Sequence, residues 1–201
     1  FIAIKPADFE QTLKTITDTA DVSGKFFVST AAAVTTEYIS SRLNDAPVIR
    51  TMPNLPIANG IGATAVCGGQ GTDKKQIQFV CDIFEASGLC VVLPEEMMNK
   101  VIAVNGSSPA YVYLFAKAMV DWAVQNGFDE TVARQLVAQT IKGSAEMIIK
   151  SETSLDALVK AVCSPGGTTI EAVKVLEESD FCNTVARAMD ACTAKAEILK
   201  K

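Results

Sequence analysis

The chain has no histidine among its 201 residues. That absence removes Ser-His-Asp triads, Cys-His pairs, HExxH zinc sites and every imidazole acid or base. Chemistry here is left to a cofactor, hydroxyls, carboxylates, lysine, tyrosine or backbone groups. The six cysteines (Cys67, Cys81, Cys90, Cys163, Cys182, Cys192) contain no Cys-x-x-Cys pair. This argues against a zinc ribbon or a thioredoxin-type site, and no metal is expected. Several fall at apolar positions of predicted elements, as buried thiols in a reducing compartment do, so a cytoplasmic location is expected. Positive charge is not in excess either. A net charge of −5 provides no basic footprint for nucleic acid. No apolar run approaches the ~18 residues of a spanning helix, so a membrane span is not expected. The opening Phe1-Ile2-Ala3-Ile4 is too short and too poor in basic residues for a secretory leader. It is expected to be a buried strand already inside a fold.

What is present is apolar surface. Hydrophobic residues make up 49% of the chain and charged ones 20%, a balance that supports a substantial core and excludes disorder. The mean hydropathy of +0.24 is high for a chain without a membrane span. Helices buried on every face, as at an obligate subunit interface, account for the excess.

The first half alternates strand and helix. After the strand at 1–4, Pro6 opens a helix with Phe9, Leu13 and Ile16 on one face. Strands are expected at 25–29, 47–51, 62–67 and 89–93, with helices from about Thr36 to Leu43 and from a cap at Thr72 or Asp73 to a stop at Gly88. This order marks a mostly parallel sheet covered by helices. Near Pro94 the pattern changes, and from Glu95 onward only helices are expected. One starts at Ser107 or Ser108, with Pro109 at its first position, and runs to Gly127. Others follow Asp129, Ser154 and the breaks at 164–167 and near 180. The expected division is an α/β domain over 1–94 and an all-α domain over 95–201.

Five segments have the residue types for ligand contact. Ser164-Pro165-Gly166-Gly167-Thr168-Thr169 joins two backbone-exposing glycines to a helix start and three hydroxyls. It is either a receptor for a small carboxylate or phosphate, or an ordinary helix-to-helix turn. Arg50-Thr51-Met52-Pro53-Asn54-Leu55-Pro56 leaves a strand end, where ligands bind in open α/β sheets. Ala3-Ile4-Lys5-Pro6 and Thr30-Ala31-Ala32-Ala33 leave two others, and plain loops remain the competing reading. Asn105-Gly106-Ser107-Ser108-Pro109-Ala110-Tyr111 allows close packing or a ligand contact at a helix start. Glu95, Glu96 and Glu152 are candidate substrate-facing carboxylates, although such groups are usually solvated.

In this order and spacing, Ala3–Pro6, Thr30–Val34, Val48–Pro56, Asn105–Tyr111 and above all Ser164–Ile170 resemble pyrroline-5-carboxylate reductase along essentially the whole chain. The resemblance implies an incomplete Rossmann-like NAD(P)-binding domain followed by a helical dimerisation domain. It implies reduction of 1-pyrroline-5-carboxylate to L-proline by NADPH or NADH, NADPH favoured. Partnership implied is a homodimer through the C-terminal helices, with assembly as far as a decamer. It places Ala3, Ile4, Lys5, Pro6, Thr30, Ala31, Ala32, Met52, Pro53 and Asn54 against the cofactor. It makes Ser164, Gly166, Gly167, Thr168 and Thr169 the substrate-carboxylate site, partly supplied by the neighbouring subunit, with Thr169 at the imine nitrogen and Glu95 and Glu152 at the same site. Departures are Ala33 where the family usually has glycine, Leu55 where it often has threonine, and Asn105 and Ser108 in a Ser-Gly-Ser-Gly-Pro-Ala-Tyr form. The first βαβ unit, with its GxGxxG turn, is not found in the sequence. Two alternatives stand beside this. A β-hydroxyacid-type dehydrogenase relies on a catalytic lysine and lacks the Ser-Pro-Gly-Gly-Thr-Thr loop, and a non-catalytic oligomerisation module should bind no NADPH.

Overall fold

The computed structural model describes residues 1–201, with Pro6 described by its backbone alone. Two compact units divide it: Phe1–Pro109 together with Ala188–Lys201, and Ala110–Arg187.

The first unit is built on a four-stranded sheet of order β1 (Phe27–Ser29), β2 (Val48–Pro53), β3 (Gly62–Gly68) and β4 (Gly88–Val92). The β1–β2 and β3–β4 pairs are parallel and β2–β3 is antiparallel. The sheet is therefore mixed, because β2 and β3 are joined by a short connection with a 3-10 turn at Leu55–Asn59 instead of a crossover helix. The expected first strand shrinks to one parallel bridge, Ile2 to Ser29. Ile2 gives its N–H to Val28 O and accepts from Thr30 N–H, so it is bonded along one side only among the described residues.

Three helices, α1 (Phe9–Thr19), α2 (Thr36–Ser40) and α3 (Lys74–Glu85), cover the sheet. α1 buries Phe9 and Leu13, four residues apart on one helical face, against Val34, Ile39, Leu43 and Val48. Removing a side chain of that size from water stabilises the fold by about 1.5–3 kcal/mol. α3 carries a full capping box: Asp73 accepts from Gln76 N–H while the Gln76 side chain accepts from Asp73 N–H. Its Val80, Cys81 and Phe84 pack on Val28, Ile49 and Val66 of the sheet. The helix stops at Ala86 and not at Gly88, which opens β4 instead. Gly88 sits at φ +138° facing Gly62, and a Cβ there would lie 2.0 Å from Gly62 O.

After β4 the described residues form helices and turns only. A π-helix at Ile102–Gly106 runs into α4 (Ser108–Gln125), closed by Ser107 N–H on Ile102 O at 2.7 Å. The helix thus continues from a widened turn and does not begin at a serine cap. Ser108 gives its hydroxyl back to Val104 O at 2.6 Å. The second unit continues through α5 (Glu130–Lys150), α6 (Leu155–Val162), α7 (Thr168–Glu178) and the start of α8 (Phe181–Leu199), with Asp129 and Ser154 capping α5 and α6. α4 buries no residue and α5 buries only Ala133 and Val137. Leu114 is 70% exposed and Ile149 76%. Helices this apolar with so little of their own core are interface helices in search of a partner surface. No helix among the described residues is long and apolar enough to cross a membrane.

Two outcomes are expected. Gly88→Ala should lower stability by about 1–3 kcal/mol in a urea titration, since strain at φ +138° adds to the collision with Gly62. Burial, then the adjoining Cys81 thiol, pushes the Cys90 thiol up to about 12. The folded state thus favours the neutral thiol, a contribution intact below the ordinary value of 9.0 and lost as pH climbs from there toward 12. Cys90→Ala should flatten that alkaline limb of the stability profile.

Candidate functional site

The register Ile2–Ser29–Arg50 puts three parallel segments side by side, so Ala3–Lys5 and Thr30–Ala32 leave the sheet beside Thr51–Pro53, which run on to the end of β2 still paired with β3. Three of the sequence-selected groups therefore meet there. Thr30 N–H donates to Ile2 O at 3.2 Å, and Thr51 Oγ1 donates to Ser29 O at 3.1 Å, locking the segments to one another. Lys5 and Ala3 are exposed, and Ile4, Thr30, Ala32, Met52, Pro53 and Asn54 are half-buried. Ala31 is buried in the core, which leaves its backbone for any ligand contact.

At the end of β2 the ladder meets Pro53, which has no N–H to give. Two asparagine amides take over. Asn54 Oδ1 accepts from Ala63 N–H at 2.9 Å. Asn105 Nδ2 donates to Met52 O and to Ala63 O, both at 2.9 Å. The Ala63 bond fixes the Asn54 amide with its oxygen inward and its NH2 as the outward donor. A Cβ at Gly106 would come within 2.5 Å of Met52 Cε, the far end of a flexible side chain that can give way. Asn105 Oδ1 is buried and finds no donor among the described residues. The sequence marked Asn105–Tyr111 as a helix start, and a side chain reaching back between two strands leaves no local signal.

Arg50, named in the sequence only as the head of the Arg50–Pro56 segment, has a role that motif reading did not assign. Its side chain is 1% exposed, with Nη1 on Glu95 Oε1 at 2.9 Å and Nη2 on Asn99 Oδ1 at 2.7 Å. Nε is buried and finds no acceptor among the described residues. Cys67 gives its thiol to Glu95 Oε2 at 3.2 Å, and burial followed by the charge of Glu95 pushes that thiol well above its usual range. Both oxygens of Glu95 are thus engaged inside the first unit. An arginine in the middle of the apolar Val48–Met52 run was the available signal, since a buried charge demands partners.

The second unit holds the remaining candidates. Gly166 adopts φ +70°, and Gly167 N–H closes a turn on Ser164 O at 2.9 Å. Gly167 is the N-cap of α7 and has no side chain to cap it, so the first-turn N–H groups face outward. Ser164, Gly166 and Thr168 are exposed, and Gly167 and Thr169 are half-buried. Free N–H groups, the positive end of the helix dipole and the adjacent hydroxyls suit a carboxylate. Glu152 is exposed in the connection between α5 and α6. Among the described residues no group of three or more Cys, Asp and Glu side chains is placed to hold a metal.

Removing either clamp on this end of the sheet should be costly. Asn105→Ala strands two carbonyls and is expected to lose about 1–3 kcal/mol of stability. Glu95→Ala leaves a buried guanidinium without its countercharge and is expected to lose on the order of 3 kcal/mol, with Glu95→Gln recovering part of it. Denaturant midpoints check both, and unchanged midpoints contradict the bracket and the ion pair respectively.

Known proteins resemble this chain in sequence and in fold. The family model described as pyrroline-5-carboxylate reductase dimerisation matches residues 95–199. Pyrroline-5-carboxylate reductase of Escherichia coli K12 is 40% identical over 202 residues, spanning 100% of this chain and 75% of that protein. The crystal structure of Plasmodium falciparum pyrroline carboxylate reductase with NADP bound is similar with a TM-score of 0.92 at 30% identity, over 98% of this chain and 79% of that one. Pyrroline-5-carboxylate reductase of Coxiella burnetii gives 0.90 at 33% identity, over 98% and 74%. With sequence and architecture matched over nearly its full length, the chain belongs to the pyrroline-5-carboxylate reductase family.

Proposed function

We propose that this chain reduces the cyclic imine 1-pyrroline-5-carboxylate to L-proline with a nicotinamide cofactor, the last step of proline biosynthesis. The observation that carries the reading is the Ser164–Thr169 loop, whose left-handed Gly166 and uncapped α7 N-terminus form a carboxylate receptor beside a hydroxyl. Thr168 and the first-turn N–H groups hold the substrate carboxylate, and Thr169 gives a hydrogen bond at the ring nitrogen. The exposed Glu152 carboxylate favours the protonated, more electrophilic imine by charge. Glu95 serves the site through Arg50 and β2, since both its oxygens are engaged there.

The residues at the sheet edge fit a dinucleotide. Small side chains at Ala3, Thr30 and Ala32 let the backbone approach a ligand, Lys5 offers a cation to a phosphate, and Asn54 presents its outward NH2 to ribose or phosphate. Ile4, Pro6, Ala31, Met52 and Pro53 complete the edge in this proposal. When bound, the cofactor supplies the hydride that the imine carbon receives. NADPH is favoured, in keeping with the NADP held by the Plasmodium falciparum relative. Residues 1–94 serve the cofactor and 95–201 serve dimerisation and substrate. The exposed apolar faces of α4 and α5 pair in a homodimer, which assembles further to a decamer, in the cytoplasm.

Thr169→Ala in the full-length protein should lower kcat/KM by about 10- to 150-fold, the loss of one charge-assisted hydrogen bond of about 1.5–3 kcal/mol. NAD(P)H oxidation on adding pyrroline-5-carboxylate reads it. Thr169→Ser should restore most of the rate, and a wild-type value for the alanine variant removes the role from Thr169. Sedimentation velocity tests the assembly, and a monomer at micromolar concentration contradicts it.

A further inference from the structure

The far end of the chain returns to the loop after β1. Lys201 N–H donates to Ala33 O at 2.9 Å, and Lys201 O accepts from Thr35 N–H at 2.9 Å and from Thr35 Oγ1 at 2.8 Å. Between these contacts Ala33 is held at φ +60° with its side chain buried. An alanine in that region is strained and persists only where its surroundings over-determine it. A second tie lies four residues earlier, in the last turn of α8. Glu197 Oε1 accepts from Asn99 Nδ2 at 3.0 Å, and Asn99 Oδ1 accepts from the buried Arg50 of β2 at 2.7 Å. The two ties border a cleft of about 270 Å³ lined by Thr35, Arg50, Glu95, Asn99, Glu197 and Lys200.

α8 is thus anchored at two points on the first unit, and one of them grips the segment that follows Thr30–Ala32. Local forces do not account for this. Among the described residues, Lys201 N–H is the backbone donor to Ala33 O, and the strained φ has no glycine to relieve it.

We propose that the end of α8 and the two residues after it, Glu197 to Lys201, are a clamp that holds the Thr30–Val34 loop in its cofactor-receiving conformation. Thr35, Lys201 and Glu197 are then positioning residues for the nicotinamide cofactor. They act through the loop without touching the ligand. The proposal rests on the assignment of Thr30–Ala32 to the cofactor. Releasing the clamp lets Ala33 relax from its left-handed conformation, so the competent loop becomes a fraction of the population and the apparent Kd rises by the inverse of that fraction. Once cofactor is saturating, the loop is held by the ligand and turnover recovers.

Two variants of the full-length protein test this. Lys201→Pro removes the N–H given to Ala33, and a chain ending at Leu199 removes the whole tie. Three readouts are needed: hydrogen exchange of the Ala33–Thr36 amides, NADPH Kd from nicotinamide fluorescence, and kcat at saturating NADPH. The expected result is faster exchange in that loop, a Kd raised about 5- to 30-fold, and kcat within about twofold of the parent. Unchanged exchange in both variants overturns the clamp. Faster exchange with an unchanged Kd overturns its role in cofactor binding, and Thr30→Glu then locates the failure. If that substitution raises Kd, the loop does meet cofactor and only the clamp is wrong. If Kd stays put, the assignment of the loop itself falls.

Discussion

A guanidinium buried to 1% exposure in the middle of a strand cannot be left unpaired, and the answer to Arg50 organises the first unit. Glu95 and Asn99 meet it from the turn after β4, so the segment that follows the sheet is pinned across it. Cys67 on the neighbouring strand holds the second oxygen of Glu95, and Glu197 of α8 holds Asn99. One charge thus ties β2, β3, the start of the helical sequence and its end into a single polar network. Such a network contributes geometry more than net stability, because desolvation offsets much of the Coulombic attraction.

The geometry it fixes is that of β2, whose end carries Met52, Pro53 and Asn54. Pro53 interrupts the ladder, and the fold compensates with the amides of Asn54 and Asn105 rather than with backbone. The result is a strand end held by side-chain bonds, beside two more parallel segments. Rigid elements position polar contacts better than free loops do. The wide π turn at Ile102–Gly106 is part of the same solution, since it delivers Asn105 between the strands.

The second unit follows another logic. Its helices bury little of their own apolar surface, and its left-handed glycine and uncapped helix start lie together at the Gly166–Gly167 turn and the first turn of α7. A subunit built this way is completed by a partner. That division suits a family whose members share a domain described by dimerisation.

Much of this was legible in the chain. Phe9 and Leu13, Val80 and Phe84, and the caps Asp73, Asp129 and Ser154 acted where their spacing or chemistry placed them, because helical periodicity and capping are local. The Ser164–Thr169 turn was legible for the same reason: glycine, proline and hydroxyl chemistry acts within a few residues. Legible from the chain alone were most of the helices and strands, the change from sheet to helix near Pro94, the family and the residue types offered to a ligand. The tertiary structure alone decided the antiparallel turn from β2 to β3, the engagement of Glu95, the Asn105 bracket and the return of Lys201 to Ala33. Each of these joins residues distant in the chain, or depends on which of several equivalent partners lies within hydrogen-bond reach. Periodicity and local chemistry have no term for that distance, and only packing sets it.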